Sequence, residues 1–568
     1  MEKWILKKTN EELAKQISEE LQIHPLAARI ITNRGIDSVE AAKNYLYADL
    51  SMLHDPFLLT DLDKAIQILK EKKAASKAVR IIGDYDVDGI MSSYILLKGF
   101  EKFGIHADVR IPDRKTDGYG LNTRLIREAF DDGIDTIVTC DNGISASGAI
   151  SLAKELGMTV IVTDHHEVIS IPDADAVIDP KRDDTYPCRD LCGASVAWKL
   201  IRAIGSDQNM QLLQFAAIAT ICDVVPLVDE NRIIVREGLK MLHETNSVNL
   251  RVLAQTCHVL ISEVTEYHIG FVLGPCLNAC GRLGSAMDGL RFLTETNFTE
   301  IEKQAEALAE LNKKRKDMTE EGLQKALQDI EANHREMDRV LVVYIPEVEE
   351  SVIGIIAGRI KEMYHRPTFV LTDGDSVVKG SGRSIEAYSI IDALSEISDL
   401  FAMKDGKPTF GGHRTAAGIS LPKENIEAFR NALNAHCKLA ESDLEATVEI
   451  DAIVPIEAVT EDLVEGLNIL APFGQDNPKP ILAQQYVKLS RPKLVGLRKN
   501  VLKMTAASMK SRRDPVEENE PMSVICFHDA EKILERISSN SIAAITYEPQ
   551  INEFMGQRNV QIVIDHVK

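Results

Sequence analysis

The chain has 568 residues, room for three to four domains at roughly 150 residues each. Hydrophobic residues make up 45% and charged residues 27%, which excludes a mostly disordered chain, a collagen-like repeat and a small disulfide scaffold. The 65 Lys and Arg against 87 Asp and Glu leave a net charge of −22, which argues against a protein that coats nucleic acid over its whole surface.

Residues 1–50 read as a peripheral helical segment, opened by the start signal Asn10-Glu11-Glu12. The first eight residues lack the apolar core of a signal peptide. No apolar run approaches the roughly 20 residues of a membrane span. The nine cysteines are scattered, and the chain reads as a reduced, cytoplasmic protein with no membrane partner. The pairs Cys188/Cys192 and Cys276/Cys280 lack the two-residue spacing that a four-thiolate zinc site normally has in at least one pair.

From Ala78 to Ile178 short β-rich runs alternate with amphipathic stretches such as Gly89 to Phe103. Strand–helix–strand units with continuous apolar strands predict a parallel sheet covered by helices, extended by mostly helical residues to about 300. Residues 298–337 are polar and helix-favouring, with apolar residues at helical spacing, and predict one long connecting helix or two. A second strand and helix alternation starts at Val340-Leu341-Val342-Val343 and runs to about 440. After Ala446 short strands and turn residues predict a small β-barrel or sandwich.

The chemistry gathers at strand ends. The run Gly83-Asp84-Tyr85-Asp86-Val87-Asp88-Gly89 follows one apolar strand, Asp141-Asn142-Gly143 a second and Asp164-His165-His166 a third. Asp223 follows the apolar stretch Phe215 to Cys222. Any one of these acids alone reads equally as a helix cap or turn residue. On a parallel sheet all three strand ends share one edge, where ligands bind. Carboxylates crowded there repel unless a cation lies between them, and mixed Asp and His ligands suit Mn²⁺ or Mg²⁺. A pair of such ions activates water and clamps phosphate oxygens.

These motifs resemble the DHH phosphoesterase superfamily and, within it, the bacterial single-strand-specific 5′ exonucleases. Pro112-Asp113-Arg114 with Asp117-Gly118-Tyr119-Gly120-Leu121 is similar to the second motif of that family. Asp223-Val224-Val225-Pro226-Leu227 and Leu277-Asn278-Ala279-Cys280-Gly281-Arg282 are similar to later ones. Ser381-Gly382-Arg383-Ser384 and Gly411-Gly412-His413-Arg414 resemble the DHH-associated domain, and Ala471-Pro472-Phe473-Gly474 the entry to an OB-fold. The implied fold class is α/β: a parallel-sheet DHH domain over 51–297, a long connecting helix over 298–337, a smaller α/β DHH-associated domain over 338–446 and an OB-fold barrel over 447–568.

By this resemblance Asp86, Asp88, Asp141, His165 and Asp223 hold two divalent ions, Mn²⁺ or Mg²⁺, with Asp84 in or beside that shell. Asp141 is the candidate bridge, His166 faces the scissile phosphate and Asp164 orients the imidazoles. Arg114, Asn278, Arg282, Ser381, Arg383, Gly411, Gly412 and His413 are the candidate phosphate-binding residues. Ala416-Ala417 is expected to open a helix beneath the glycine pair. From Lys488 to Arg513 there are nine Lys or Arg and no acid, a basic stretch in which Lys488, Arg491, Lys493, Arg498 and Lys499 would track single-stranded DNA. The implied activity is a 5′ to 3′ exonuclease releasing mononucleotides in DNA repair and recombination, acting as a monomer. A RecQ-type helicase and a single-strand-binding protein are the partners that the resemblance implies. Competing readings are a hydrolase of short oligoribonucleotides or small phosphate compounds, and an inactive DNA-binding scaffold.

Overall fold

The computed structural model describes residues 2–114, 117–404, 406–496, 500–509, 521–528, 530–539, 541–554 and 556–568. The chain divides into two compact units, one built from Pro56–Asp223 and Gly238–Ala446, the other from Lys3–Asp55, Val224–Glu237 and Thr447–Lys568.

In the first unit five short strands form one sheet: β1 (Val79–Ile82), β2 (Ala107–Arg110), β3 (Thr136–Cys140), β4 (Thr159–Thr163) and β5 (Ala176–Ile178). Their order is β2-β1-β3-β4-β5, and every neighbouring pair is parallel. β1 and β3 are buried at every position, as expected where helices cover both faces. On one face Ile82, Ile137, Val160 and Val162 pack with Leu125, Ile126 and Ile150 of two flanking helices. Helix α1 (Val87–Phe103) starts at Asp86, whose side chain accepts a hydrogen bond from the Gly89 N–H at 3.1 Å. α2 (Gly193–Gly205) and α3 (Leu213–Cys222) are largely buried, and α4 (Gly274–Leu283) follows.

The connecting region is one helix, α5 (Phe298–Ala332). Its buried residues Ile301, Ala305, Leu308, Leu323, Ala326 and Ile330 recur at helical spacing, so packing of one stripe stabilises 35 residues of otherwise polar helix. A second sheet follows, from β6 (Leu341–Tyr344), β7 (Thr368–Asp373), β8 (Val378–Arg383), β9 (Phe410–Gly412) and β10 (Ala416–Leu421), in the order β9-β10-β8-β7-β6. Only β6 and β7 are parallel, joined through helix α6 (Glu350–Tyr364). Ala416 and Ala417 thus open a strand, not the expected helix. The ladder from Ala416 opposite Arg383 to Leu421 opposite Val378 takes up their backbone groups and overrides alanine's helical preference.

In the second unit the N-terminal residues are not peripheral. Lys3–Leu6 pairs in parallel with Thr447–Ile450, and the helices that follow place Ile17, Ile30, Ile31 and Leu46 in one core with Leu482, Leu502 and Ile545. Val224–Glu237, expected within the catalytic domain, also belongs to this unit. The physical reason is Arg232, buried, with its guanidinium donating to the carbonyls of Tyr45, Leu470, Ala471 and Pro472 at 2.8–3.2 Å. Five strands close a barrel: Leu482–Val495, Val501–Ser508, Met522–Cys526, Gln557–Val567 and Ile542–Phe554, the last pairing back onto the first. Among the described residues no helix is long and apolar enough to cross a membrane.

Candidate active site

The carboxyl ends of β1, β3 and β4 bring their loops to one edge of the first sheet. Asn142 ties the loops together. Its amide donates to the Ile82 and Cys140 carbonyls at 3.0 and 2.9 Å, and its Oδ1 accepts from the Leu121 N–H at 3.1 Å. Asp141 adopts a left-handed backbone, φ +60°, rare for a side-chain-bearing residue and typical of strained functional positions. The N-terminus of α2 meets the same place. Gly193 and Ala194 N–H donate to the two Asp88 oxygens at 2.6 and 2.7 Å, and a Cβ on Gly193 would lie 2.7 Å from that of Asp141. Only glycine lets the helix end come close enough to grip Asp88.

His165 Nε2 lies 3.0 Å from Asp141 Oδ1, 3.6 Å from Asp88 Oδ2 and 3.8 Å from Asp223 Oδ2. Two trios of oxygen and nitrogen donors, Asp84/Asp86/Asp141 and Asp88/His165/Asp223, each fall within 4.8 Å of one another, and Asp141 also groups with His165 and His166. Burial, then the Asp86 charge, pushes Asp88 up to about 7. Burial and neighbouring carboxylates likewise raise Asp84, Asp141 and Asp223 well above the usual range. Burial, then His166, lowers His165 to about 3, so its ring is neutral and offers a lone pair. Asp84 Oδ1 is buried with no hydrogen-bond partner among the described residues. An unpaired buried oxygen, repelling carboxyls and a neutral imidazole are the chemistry of a hard-cation site, and the residues fit a pair of divalent ions.

His166 is different. Burial alone would lower it, but the hydrogen bond from its Nδ1 to Asp164 Oδ1, 2.7 Å, outweighs that and raises it to about 9. Asp164 also accepts from the Ile144 and His165 N–H groups at 2.8 and 2.7 Å. Burial opposes its charge, yet these bonds hold its carboxyl below the ordinary value.

Beside the acids lies a cluster of arginines. Arg114 stacks over the Tyr85 ring at 5.1 Å. Burial, then the charge of Arg114, pushes Arg282 down to about 10, and the same two causes lower Arg383. Guanidiniums gathered this closely, each disfavoured by burial and by its neighbour's charge, are suited to binding an anion such as phosphate. Ser381 accepts from Arg383 at 3.1 Å, which makes it a holder of that arginine. Asn278 accepts from the Val87 N–H at 3.1 Å and so braces the β1–α1 loop. Arg114 and Arg282 line a cavity of about 920 Å³ with Ser351 and Lys379. Gly411, Gly412 and His413 are exposed on the β9–β10 hairpin, at the sheet end where Ala416 pairs with Arg383. Lys488, Arg491 and Lys493 are exposed on the first barrel strand of the other unit, and Arg498 and Lys499 lie outside the described residues.

Sequence reasoning passed over Arg315, Tyr85 and Tyr119. Arg315 lies in the run Lys313-Lys314-Arg315-Lys316 of the polar connecting helix, yet it is part-buried and its charge reaches Arg282. Tyr119 was visible in its motif but carried no role.

Residues 78–221 match the family model for the DHH family N-terminal domain, 338–439 the DHHA1 domain and 450–566 the RecJ OB domain. The chain is 33% identical to the single-stranded-DNA-specific exonuclease RecJ of Bacillus subtilis, over 99% of this chain and 70% of that protein. It is 31% identical to RecJ of Escherichia coli, over 96% of each. The crystal structure of Thermus thermophilus RecJ in complex with Mn²⁺ superposes with a TM-score of 0.84 at 25% identity, covering 100% of this chain and 79% of that one. With those domains in that order and at least 30% identity to relatives of which it covers 70% and 96%, the chain belongs to the RecJ family of DHH exonucleases.

Proposed function

We propose that this chain is a divalent-metal-dependent, single-strand-specific DNA exonuclease that works from the 5′ end and releases 5′-mononucleotides in DNA repair and recombination. The observation that carries the reading is the pair of donor trios around Asp141 and His165, set beside a cluster of arginines. Asp84, Asp86 and Asp141 would hold one ion, Mn²⁺ or Mg²⁺, and Asp88, His165 and Asp223 the other, with Asp141 facing both. When bound, such a pair lowers the pKa of water and offsets charge on phosphate oxygens.

The chain's own residues do the rest. Arg282 and Arg383, with Arg114 above Tyr85, would receive the terminal phosphate through charge-assisted hydrogen bonds, with Ser381 fixing Arg383. The exposed His413 side chain at the end of β9 offers a further donor, its backbone N–H being taken by the Ala416 carbonyl. Protonated His166, steadied by Asp164, would hydrogen-bond the scissile phosphate and give its proton to the departing oxygen. Lys488, Arg491 and Lys493 would bind phosphates of the remaining strand.

An end-labelled digestion tests this, comparing 5′-phosphorylated single-stranded DNA, duplex DNA, RNA and a dinucleotide, each with Mn²⁺, Mg²⁺ or chelator. Mononucleotides released from the 5′ end of single strands, only with metal, are expected. Preference for the dinucleotide would move the assignment to a small-substrate hydrolase.

A further inference from the structure

We infer that Tyr119 is a positioning residue for the hydrolysis, holding the His166 ring against the backbone of Asp141 through its hydroxyl. The inference rests on the reading of His166 above and deepens it.

The hydroxyl lies 3.0 Å from the Asp141 carbonyl, to which it donates, and 3.2 and 3.3 Å from His166 Nε2 and Nδ1. His166 Nδ1 is already engaged by Asp164 at 2.7 Å. A phenol has one hydrogen. Given to the carbonyl, it leaves the oxygen lone pairs against the imidazole, nearly equidistant from its two nitrogens, so the hydroxyl braces the ring and leaves Nε2–H for the scissile phosphate. Asp164 then fixes Nδ1, and the Tyr119 hydroxyl, tied to the Asp141 carbonyl, restrains the tilt of the ring.

Two further contacts give the ring its place. Tyr119 meets His166 edge to face, 5.7 Å between centroids at 77°, and meets Tyr85 the same way, 6.3 Å at 85°. Tyr85 in turn lies under Arg114. The loop that carries Tyr119 is fastened on both sides. Arg124 grips Asp117 with two bonds of 2.6 and 2.7 Å, and the Leu121 N–H is held by Asn142. A tyrosine hydroxyl held this firmly restrains the imidazole that faces the phosphate, with the carbonyl of Asp141, a residue held at φ +60°, as its fixed anchor. Partners of this outer kind typically account for 10- to 100-fold in activity, although they touch no substrate.

The test is a double-mutant cycle on the full chain with Mn²⁺, read by steady-state digestion of a 5′-phosphorylated single strand over a range of strand concentrations. Tyr119→Phe keeps the ring and its edge contacts and removes only the hydroxyl. A kcat lower by about 10- to 100-fold is expected, with KM within about twofold. In a His166→Ala background the same change should cost nothing more, because the group it positions is gone. A full additional loss in that background would overturn the inference, and a loss caused by misfolding would carry over in just that way. A raised KM with kcat kept would also overturn it, making the hydroxyl a strand contact, as would full activity of Tyr119→Phe. Unchanged activity of His166→Ala alone would instead remove the role given to His166, and this inference with it.

Discussion

At the scale of single residues, the acidic cluster is a store of unfavourable charge that a cation relieves. Above about pH 4 an unfolded aspartate has lost its proton, whereas burial and then Asp86 keep the Asp88 proton on to about 7. The metal-free fold therefore binds more protons than the unfolded chain across that window, and its stability falls as the pH rises from about 4 through about 7. A divalent ion takes the place of those protons. Mn²⁺ should raise the melting temperature more at pH 8 than at pH 5.5, measured by thermal melts with and without metal. An equal or smaller rise at pH 8 would contradict the site. Asp141→Asn carries the same logic further. Activity should drop on the order of 10³-fold, while the metal-free protein melts higher than the parent at pH 8, because one repelling charge is gone. The acids and His165 were legible in the sequence because strand ends of a parallel sheet must converge. The place of Tyr119 was not. Its partner His166 is 47 residues away, and only the folded loop brings the two together.

At the scale of elements, the site depends on close approaches between helices and loops. A Cβ on Gly281 of α4 would lie 1.9 Å from the Tyr85 carbonyl oxygen, inside the loop that carries Asp84, Asp86 and Asp88. Gly281→Ala should fold and bind long single strands but lose about 100-fold in kcat, since the loop must shift by an ångström-scale distance. Gly358, inside α6, has nothing within 4 Å of the equivalent point. Gly358→Ala should keep full activity and gain about 0.5–1 kcal/mol of stability in denaturant melts. Equal behaviour of the two variants would show that the approach of α4 to the loop is not what sets the geometry. The first sheet was readable from runs such as Val79–Ile82, apolar at nearly every position. The β9–β10 hairpin was not, because Gly411-Gly412 and Ala416-Ala417 have no strand preference of their own. Ala416-Ala417 is strand because β8, distant in sequence, supplies the ladder, and Gly411-Gly412 is strand because it pairs in turn with Ala417 and Gly418.

At the scale of the whole molecule, a net charge of −22 counts for less than where the cations stand. On the barrel Lys493 pairs directly opposite Lys503, and Arg491 sits in the bulge beside them with φ +55°. Like charges facing each other across a ladder destabilise it by a few tenths of a kcal/mol or more, so the pair is better explained by an anion shared between them than by folding. Replacing both lysines by alanine should therefore leave the barrel as stable as before or slightly more so. The cost should fall on binding. Each phosphate contact to a single strand contributes about 0.7 to the slope of log affinity against log salt, so the double variant should flatten that slope by about 1.4. Titrating a long single strand at several salt concentrations measures the slope directly, and turnover of a dinucleotide with Mn²⁺ serves as the control. The expected outcome is weaker, less salt-sensitive binding of the long strand with dinucleotide turnover unchanged. An unaltered slope would mean that the basic face of the barrel is only a solvated surface. The strand would then be held by the arginines beside the acidic cluster alone.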